Sequence, residues 1–561
     1  MSAVQEQVLP VLQPVSRIEH YRRPEELSFT AAERDAVTIL IGGLTWKHEA
    51  LMLAVFESGG YRCSRLPVPS RPDFEAGKQY GNNGQCNPTY FTVGCLVRYL
   101  QGLEQGGLTK QQIAERYVFF SAGSCGPCRF GMYEAEYRYA LENAGFGGFR
   151  VLIFQQGDGV KASSGHSGLT FSLDMGMNGL NALMLGDVIS DVGYRLRPFE
   201  KTAGETDRVV RESVARMAAL LRARGDAEID AGAASRVRAA FRAAIGGRGR
   251  IALKMVHHLY GRELLDAIEE LRARLDGIRV DRLRMKPVVK VTGEFWAQLT
   301  EGDGNFQMFD FLEKEGAQVL VEPISTWVAY LTRVQWATRR ERNRSRRRRG
   351  SMIERAAQSL AACKEEMLFS TVQAIWSRTF TRVARRAGGL TPKLVDQGML
   401  AGLSAPFYNE LARGGEGHME VGKSIYYTTH KLCHMVLSLK PFGCMPSTQS
   451  DAVQARVVSK FPEMIYLPIE TSGEGAIHAY SRAQMALSEA RIRARDEFDG
   501  VMRKRGRSVE ELREYVSKHP EMGRGLYSFP RQAGIASEAA QFAWHVSDRM
   551  DGTRMRVAAS G

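Results

Sequence analysis

Two hydrophobic rhythms alternate along the chain. Short, continuous apolar runs rich in β-branched residues, closed by Gly or Pro, are separated by longer segments with apolar residues three and four apart. AVTILIGG (36–43) is the first run and reads as a buried strand ended by glycines. KHEALMLAVFESGG (47–60) follows as a helix with a glycine stop, and YRCSRLPVP (61–69) as the next strand. Strand, helix and strand at this spacing form a β-α-β unit, so a parallel sheet is expected. The pattern continues with a helix over 88–103, where Phe91, Cys95, Leu96, Tyr99, Leu100 and Leu103 recur at helical spacing. RYVFFSAG (116–123) is a strand, and the next helix carries Tyr133, Tyr137, Ala140, Leu141 and Ala144 on one face and stops at Gly145. FRVLIFQQ (149–156) is another strand.

Residues 205–285 are rich in Ala, Arg, Leu and Glu and read as mostly helical; then the alternation restarts. PVVKVTGEFW (287–296) is a strand, NFQMFDFLEKEGA (305–317) a helix with Asn305 as N-cap, and QVLVEPI (318–324) a strand. A helical stretch fills 326–415. KSIYYTTHKLCHMVLSLKPFGCMPS (423–447) gives helix, short strand and loop, EMIYLPIE (463–470) a last strand, and YSRAQMALSEARIRARDEFDGVMRKR (480–505) a charged helical tail. The expected class is α/β, with two parallel-sheet domains. The division expected is an extended arm over 1–35, a first α/β domain over 36–204, a helical connector over 205–285, a second α/β domain over 286–480 containing the helical insert 326–415, and a helical tail over 481–561.

With 561 residues, 44% of them hydrophobic, the chain is long enough for several cores. It has no uncharged apolar run of about 18 residues, so no membrane span is expected. Its first residues lack a basic stretch followed by an apolar core, so they do not read as a secretory signal, and a cytoplasmic protein is expected. The net charge of +14 owes much to RRERNRSRRRRGS (339–351). No aromatic residue interleaves that run as a stacking platform for bases would require, so it reads as a solvated insert, with nucleic-acid binding the weaker alternative.

Eight cysteines are too few for a disulfide scaffold. Cys95 and Cys433 fall on apolar helix faces, Cys63 in a strand and Cys363 on a helix flank, and all four read as structural. Cys86 (NNGQCNPTY), Cys125 and Cys128 (SCGPC) and Cys444 (KPFGCMPS) lie instead in Gly/Pro/Asn-rich turns. Asn87 suits an N-cap there and Pro88 the first helical position. Ligands of open parallel sheets gather at the carboxyl ends of strands, and helix N-termini there favour thiolates. Thiolates meeting in one crevice suit a soft metal or an iron–sulfur cluster, although the spacing is neither a zinc ribbon nor a ferredoxin run. Cys-Gly-Pro-Cys is also the thioredoxin tetrapeptide. Its context differs: Ser124 rather than Trp precedes Cys125, and the next proline is Pro198. Among other polar candidates, Arg129, Glu470, Ser472 and Glu474 border the expected crevice, His434 reads as helix surface, and His257 and His258 as helical residues without ligand partners.

GKQYGNNGQCNPTYFTVGCLVRYL, FSAGSCGPCRFGMYEAEYRYALENAGF and LKPFGCMPSTQSDAVQ resemble the 2-hydroxyacyl-CoA dehydratase/benzoyl-CoA reductase component family, in particular the dehydratase-like half of long bacterial activase-related proteins. The segments around 289–322 and 466–487 are also similar, so the resemblance covers about 36–490. It implies two Rossmann-like domains with a [4Fe–4S] cluster, or a double-cubane [8Fe–9S] cluster, in the cleft between them. By the same resemblance Cys86, Cys128 or Cys125, and Cys444 are the metal ligands. Cys128 is favoured for its place at the helix start beside Arg129, which leaves Cys125 as a fourth or double-cubane ligand. Arg129 and Glu474 would meet the cofactor or a CoA phosphate.

The implied activity is radical dehydration or reduction of an acyl-CoA, driven by one low-potential electron from a separate ATP-hydrolysing activase, in a homo- or heterodimer. The alternative is an electron-transfer partner without acyl-CoA turnover. The chain departs from the family in its Arg-rich insert, and no residue marks a CoA pocket. It also has no nucleotide-binding phosphate loop, GGRGR (246–250) being an isolated turn.

Overall fold

A computed structural model describes Glu26 and residues 28–43, 45–123, 128–155, 168–224, 254, 257–347, 352–412 and 414–560. It is an α/β protein with two four-stranded parallel sheets. The first contains β1 (Thr38–Ile41), β2 (Arg62–Arg65), β3 (Tyr117–Gly123) and β4 (Val151–Gln155) in the order β2-β1-β3-β4. The second contains β5 (Val288–Gly293), β6 (Gln318–Leu320), β7 (Met435–Pro441) and β8 (Tyr466–Thr471) in the order β6-β5-β7-β8. All eight apolar runs became strands. The orders are the same, so each sheet reverses its winding between its first and third strands, where open α/β sheets bind ligands.

The helix Arg71–Tyr80 was hidden in the sequence by Pro72 and Gly77, which ordinarily argue against a helix. Ser70 and Asp73 start it with a capping box, and Pro72 sits harmlessly in its first turn. Gly77 is needed for packing. A Cβ there would lie 2.0 Å from the Tyr90 carbonyl oxygen, and a Cβ on Gly94 would lie 1.8 Å from that of Asp73. The helices Arg71–Tyr80 and Asn87–Gln105 therefore touch backbone to backbone, and the short loop between them carries Cys86.

Residues before β1 pack onto the first sheet. Phe29 is fully buried, Arg138 forms an ion pair with Glu26, and the buried Arg150 bonds to Glu33 at 3.1 Å. Between β6 and β7, the helices Ile324–Arg347 and Met352–Arg386 form an antiparallel pair. A further core joins the long helix Ala476–Arg505 to the C-terminal helix Glu538–Ser560. Among the described residues no helix is long and apolar enough to cross a membrane.

Several local expectations are corrected. The helix Gly417–Thr429 stops before Cys433 because Lys431 adopts a left-handed turn (φ 49°), so Cys433 leads into β7 instead of lying on a helix. His434 is buried, and its Nδ1 accepts from the Val288 N–H at 2.9 Å. His258 has a partner, with Nε2 2.8 Å from Asp174 Oδ1. Helix 308–314 begins later than expected because Phe306 and Gln307 are left-handed, although Asn305 Oδ1 still accepts from the Met308 N–H at 3.4 Å.

Candidate metal centre

Cys86 is itself the N-cap of helix 87–105, and Asn87, expected in that role, is the first helical residue. Freed from capping, the buried Asn87 binds the second half of the chain. Its N–H donates to the Phe442 carbonyl at 3.1 Å, and its side-chain amide donates to Gly304 O and Thr471 Oγ1, both at 3.2 Å. Phe442 lies two residues before Cys444, the N-cap of helix Met445–Lys460. Gly443 approaches so closely that a Cβ on it would lie 3.6 Å from Cys86 Cα. The Cys86 and Cys444 loops are thus in direct contact.

Cys128 starts a short 3-10 turn (Arg129–Met132) beyond the end of β3. The Arg129 guanidinium donates to the Gly84 carbonyl, tying this loop to the Cys86 loop. Tyr133, on the following helix, places its hydroxyl 3.4 Å from Cys86 Sγ, and Thr89 Oγ1 lies 3.1 Å from the same sulfur. The loops that carry three of the expected cysteines are therefore neighbours. Cys125, in Ser124–Pro127, lies outside the described residues. Glu474 is in the exposed turn after β8, its N–H donating to Ser472 Oγ at 3.2 Å, and it has no described contact with the cysteine loops. Glu470 is likewise exposed.

Two carboxylates that sequence reasoning missed complete the site. Glu294 follows β5 at the second sheet's reversal point, where Gly293 (φ 115°) lets β5 press on β7; a Cβ there would lie 2.1 Å from Leu439 O. Glu294 Oε2 accepts from the Ala297 N–H at 2.9 Å. Glu416 heads the helix Gly417–Thr429 and accepts from the Phe295 N–H at 2.6 Å. Their signals were present in GEFW after a strand and in the glycine-rich GGEGH.

Burial raises Glu294 to about 7, and burial together with Glu294 holds Glu416 well above the usual carboxylate range. Burial also pushes the Cys128 thiol up to about 12, with Glu294, Glu416 and Cys86 adding to the shift, and raises Cys444 in the same way. The helix ends were expected to favour thiolates, but burial outweighs them. Without a cation the Cys128 and Cys444 thiols stay protonated; a metal would release those protons and be bound by the resulting thiolates.

The donor set therefore fits a soft, positively charged group. Among the described residues no three His, Cys, Asp or Glu side chains are gathered tightly enough for one metal ion. Thiols spread over three loops would suit a group with several metal atoms better than a single ion. No family model and no curated protein matches the chain.

Proposed function

We propose that this chain is the iron–sulfur component of a 2-hydroxyacyl-CoA dehydratase-type system, with Cys86, Cys128 and Cys444 holding a [4Fe–4S] cluster in a crevice between two Rossmann-like units. Cys125 is the added ligand if the group is a double-cubane [8Fe–9S] cluster. The reading is supported by one observation: three cysteines that begin helices or turns lie on neighbouring loops drawn from both sheets, tied to one another through Asn87 and Arg129. When bound, such a cluster supplies a low-potential electron and an iron that polarises an acyl-CoA oxygen.

The chain's own residues do the rest. Asn87 and Arg129 hold the loops in place, Tyr133 directs its hydroxyl at Cys86 Sγ, and Glu294 exchanges a proton near neutral pH beside the thiols. The electron comes from a separate ATP-hydrolysing activase, and the acceptor is an acyl-CoA.

The test is iron and acid-labile sulfide on anaerobically purified protein. Wild type is compared with Cys86→Ala, Cys128→Ala and Cys444→Ala. About four irons with matching sulfide, lost in each variant, is the expected result, and about eight would indicate the double cubane. No iron after anaerobic reconstitution, with the variants behaving like wild type, overturns the proposal. Turnover of an acyl-CoA with activase and ATP then separates the dehydratase from an electron-transfer partner.

A further inference from the structure

The helix Ile324–Arg347 ends in the Arg-rich run, which the proposed function leaves unused. Residues 339–349 hold eight arginines against one glutamate, half of the chain's net charge of +14. The helix sets several of these charges in order. Arg333, Arg340 and Arg344, at i, i+7 and i+11, lie on one side of it over a rise of about 16 Å, and the half-buried Trp336, at i+3, lies among them. Two guanidinium groups sit over the indole, that of Arg333 at 4.3 Å from the ring centre and that of Arg340 at 5.0 Å. Arg333 is also held by Glu410 at 2.9 Å. Further round the helix, Arg339 rests over Phe369 of the neighbouring helix Met352–Arg386 at 5.6 Å. Arg339, Arg340, Arg342 and Arg344 are all exposed. Glu341 comes only within 3.9 Å of Arg344, and among the described residues no carboxylate pairs with Arg339, Arg340 or Arg342.

We propose that this face binds single-stranded nucleic acid, with phosphates along the row of arginines and a base against Trp336. Like charges at i and i+4, such as Arg340 and Arg344, destabilise a bare helix, and a bound polyanion removes that cost. Every cation in the row is arginine, whose planar fork takes phosphate oxygens in pairs and stacks on flat rings; a surface read through charge alone would be served equally by lysine. The run itself holds no aromatic residue, but Trp336 precedes it by three positions and the fold brings Phe369 to it from the neighbouring helix. A ring among cations is a stacking platform for unpaired bases, whereas the bases of a duplex are already stacked on one another. A helix lying on an anionic membrane needs a broad apolar side, and Trp336 is the single apolar side chain in this row. The face belongs to the helical insert between β6 and β7, and the proposal does not depend on the cluster.

The test is fluorescence anisotropy of the full chain, freed of co-purifying nucleic acid, with labelled single-stranded RNA and DNA of about 20 nucleotides and with the matching DNA duplex, between about 50 and 200 mM salt. Co-sedimentation with phosphatidylserine vesicles is the separate arm. Either single strand, or both, should bind. The logarithm of the affinity should fall against that of salt with a slope of about −3 or steeper, from four exposed arginines at about 0.7 each. Arg340→Gln with Arg344→Gln should reduce that slope by about 1.4. Trp336→Leu should weaken single-strand binding about fivefold or more at an unchanged slope, and Trp336→Phe should keep most of it. Circular dichroism should be the same for all variants. No binding of either single strand at micromolar protein in the lowest salt overturns the proposal. So does a duplex bound as tightly as the single strands, a Trp336→Leu variant that binds like wild type, or capture by the vesicles in preference to the single strands.

Discussion

Glu322, just after β6, is enclosed by two lysines. Its carboxylate is 2.6 Å from Lys290 Nζ on β5 and 3.5 Å from Lys423 Nζ on helix 417–429, and all three side chains are at most 6% exposed. Burial alone would raise this carboxyl, but the two ammonium groups outweigh it and bring it down to about 2. Burial also lowers Lys423 to about 8 despite Glu322. Glu322→Gln keeps the shape and removes the charge, stranding two buried cations. Breaking a buried pair in this way costs about 3–5 kcal/mol, against at most about 1 kcal/mol for an exposed pair.

The loss should shrink as pH rises toward 8, because Lys423 without Glu322 titrates below its value of about 8 and sheds its proton earlier, leaving only Lys290 unpaired. Adding Lys423→Met should restore part of the stability at pH 7. Equilibrium urea unfolding, followed by tryptophan fluorescence and far-UV circular dichroism, measures both effects. A loss below about 1 kcal/mol, or one that stays flat from about pH 5 to 8, refutes the reasoning. Glu322 also sets an acid limit. Its carboxyl titrates near 2 folded and 4.5 unfolded, so about 3 kcal/mol is present above pH 4.5 and disappears as pH falls to 2.

Asn87→Ala removes the two hydrogen bonds donated by the side-chain amide, leaving the backbone bond to Phe442 in place, and should cost about 1–3 kcal/mol; under the proposed function, anaerobic protein should also lose iron although every cysteine remains. Gly293→Ala drives a Cβ into the Leu439 backbone at a positive φ and should abolish soluble expression, whereas Gly102→Ala, in the helix Asn87–Gln105 with open space at its Cβ, should be tolerated. Burial lowers His418 to about 4 from 6.5, so its contribution is complete above pH 6.5 and up to about 3 kcal/mol is lost as pH falls to 4. His418→Phe should flatten urea-measured stability across that window. Phe29→Ala should cost about 3–5 kcal/mol and expose the segment before β1 to limited proteolysis.

The strands were legible because parallel strands buried on both faces must be written as continuous apolar runs. β7 shows the limit of that rule. Met435–Pro441 is buried throughout yet includes Ser438 and Lys440, and both bond to Glu420, at 2.8 and 3.1 Å. Such polar partners lie on other elements and leave no periodic trace. The cysteines were legible because turn residues surround them, whereas Glu294 and Glu416 were not, since a buried carboxylate and a solvated one look alike in sequence. Helix 71–80 escaped because Gly77 counts against a helix until the crossing with Gly94 is seen. Asn87 was placed correctly at a helix start but given a capping role, when its importance lies in contacts made with residues more than two hundred positions away.

The joining of the Cys86 loop to the Cys444 loop has a consequence in time. Cys86, Cys128 and the first sheet leave the ribosome long before β7 and Cys444 are made. At about 5–20 residues per second, the interval between Cys128 and Cys444 is roughly 15–60 s. Through that interval two thiols of the site stand without the third and without the Phe442 carbonyl that fixes Asn87. The nascent chain thus passes through a period in which the Cys86 and Cys128 loops stand without the Cys444 loop, and that period ends only when β7 and the turn after it have been made.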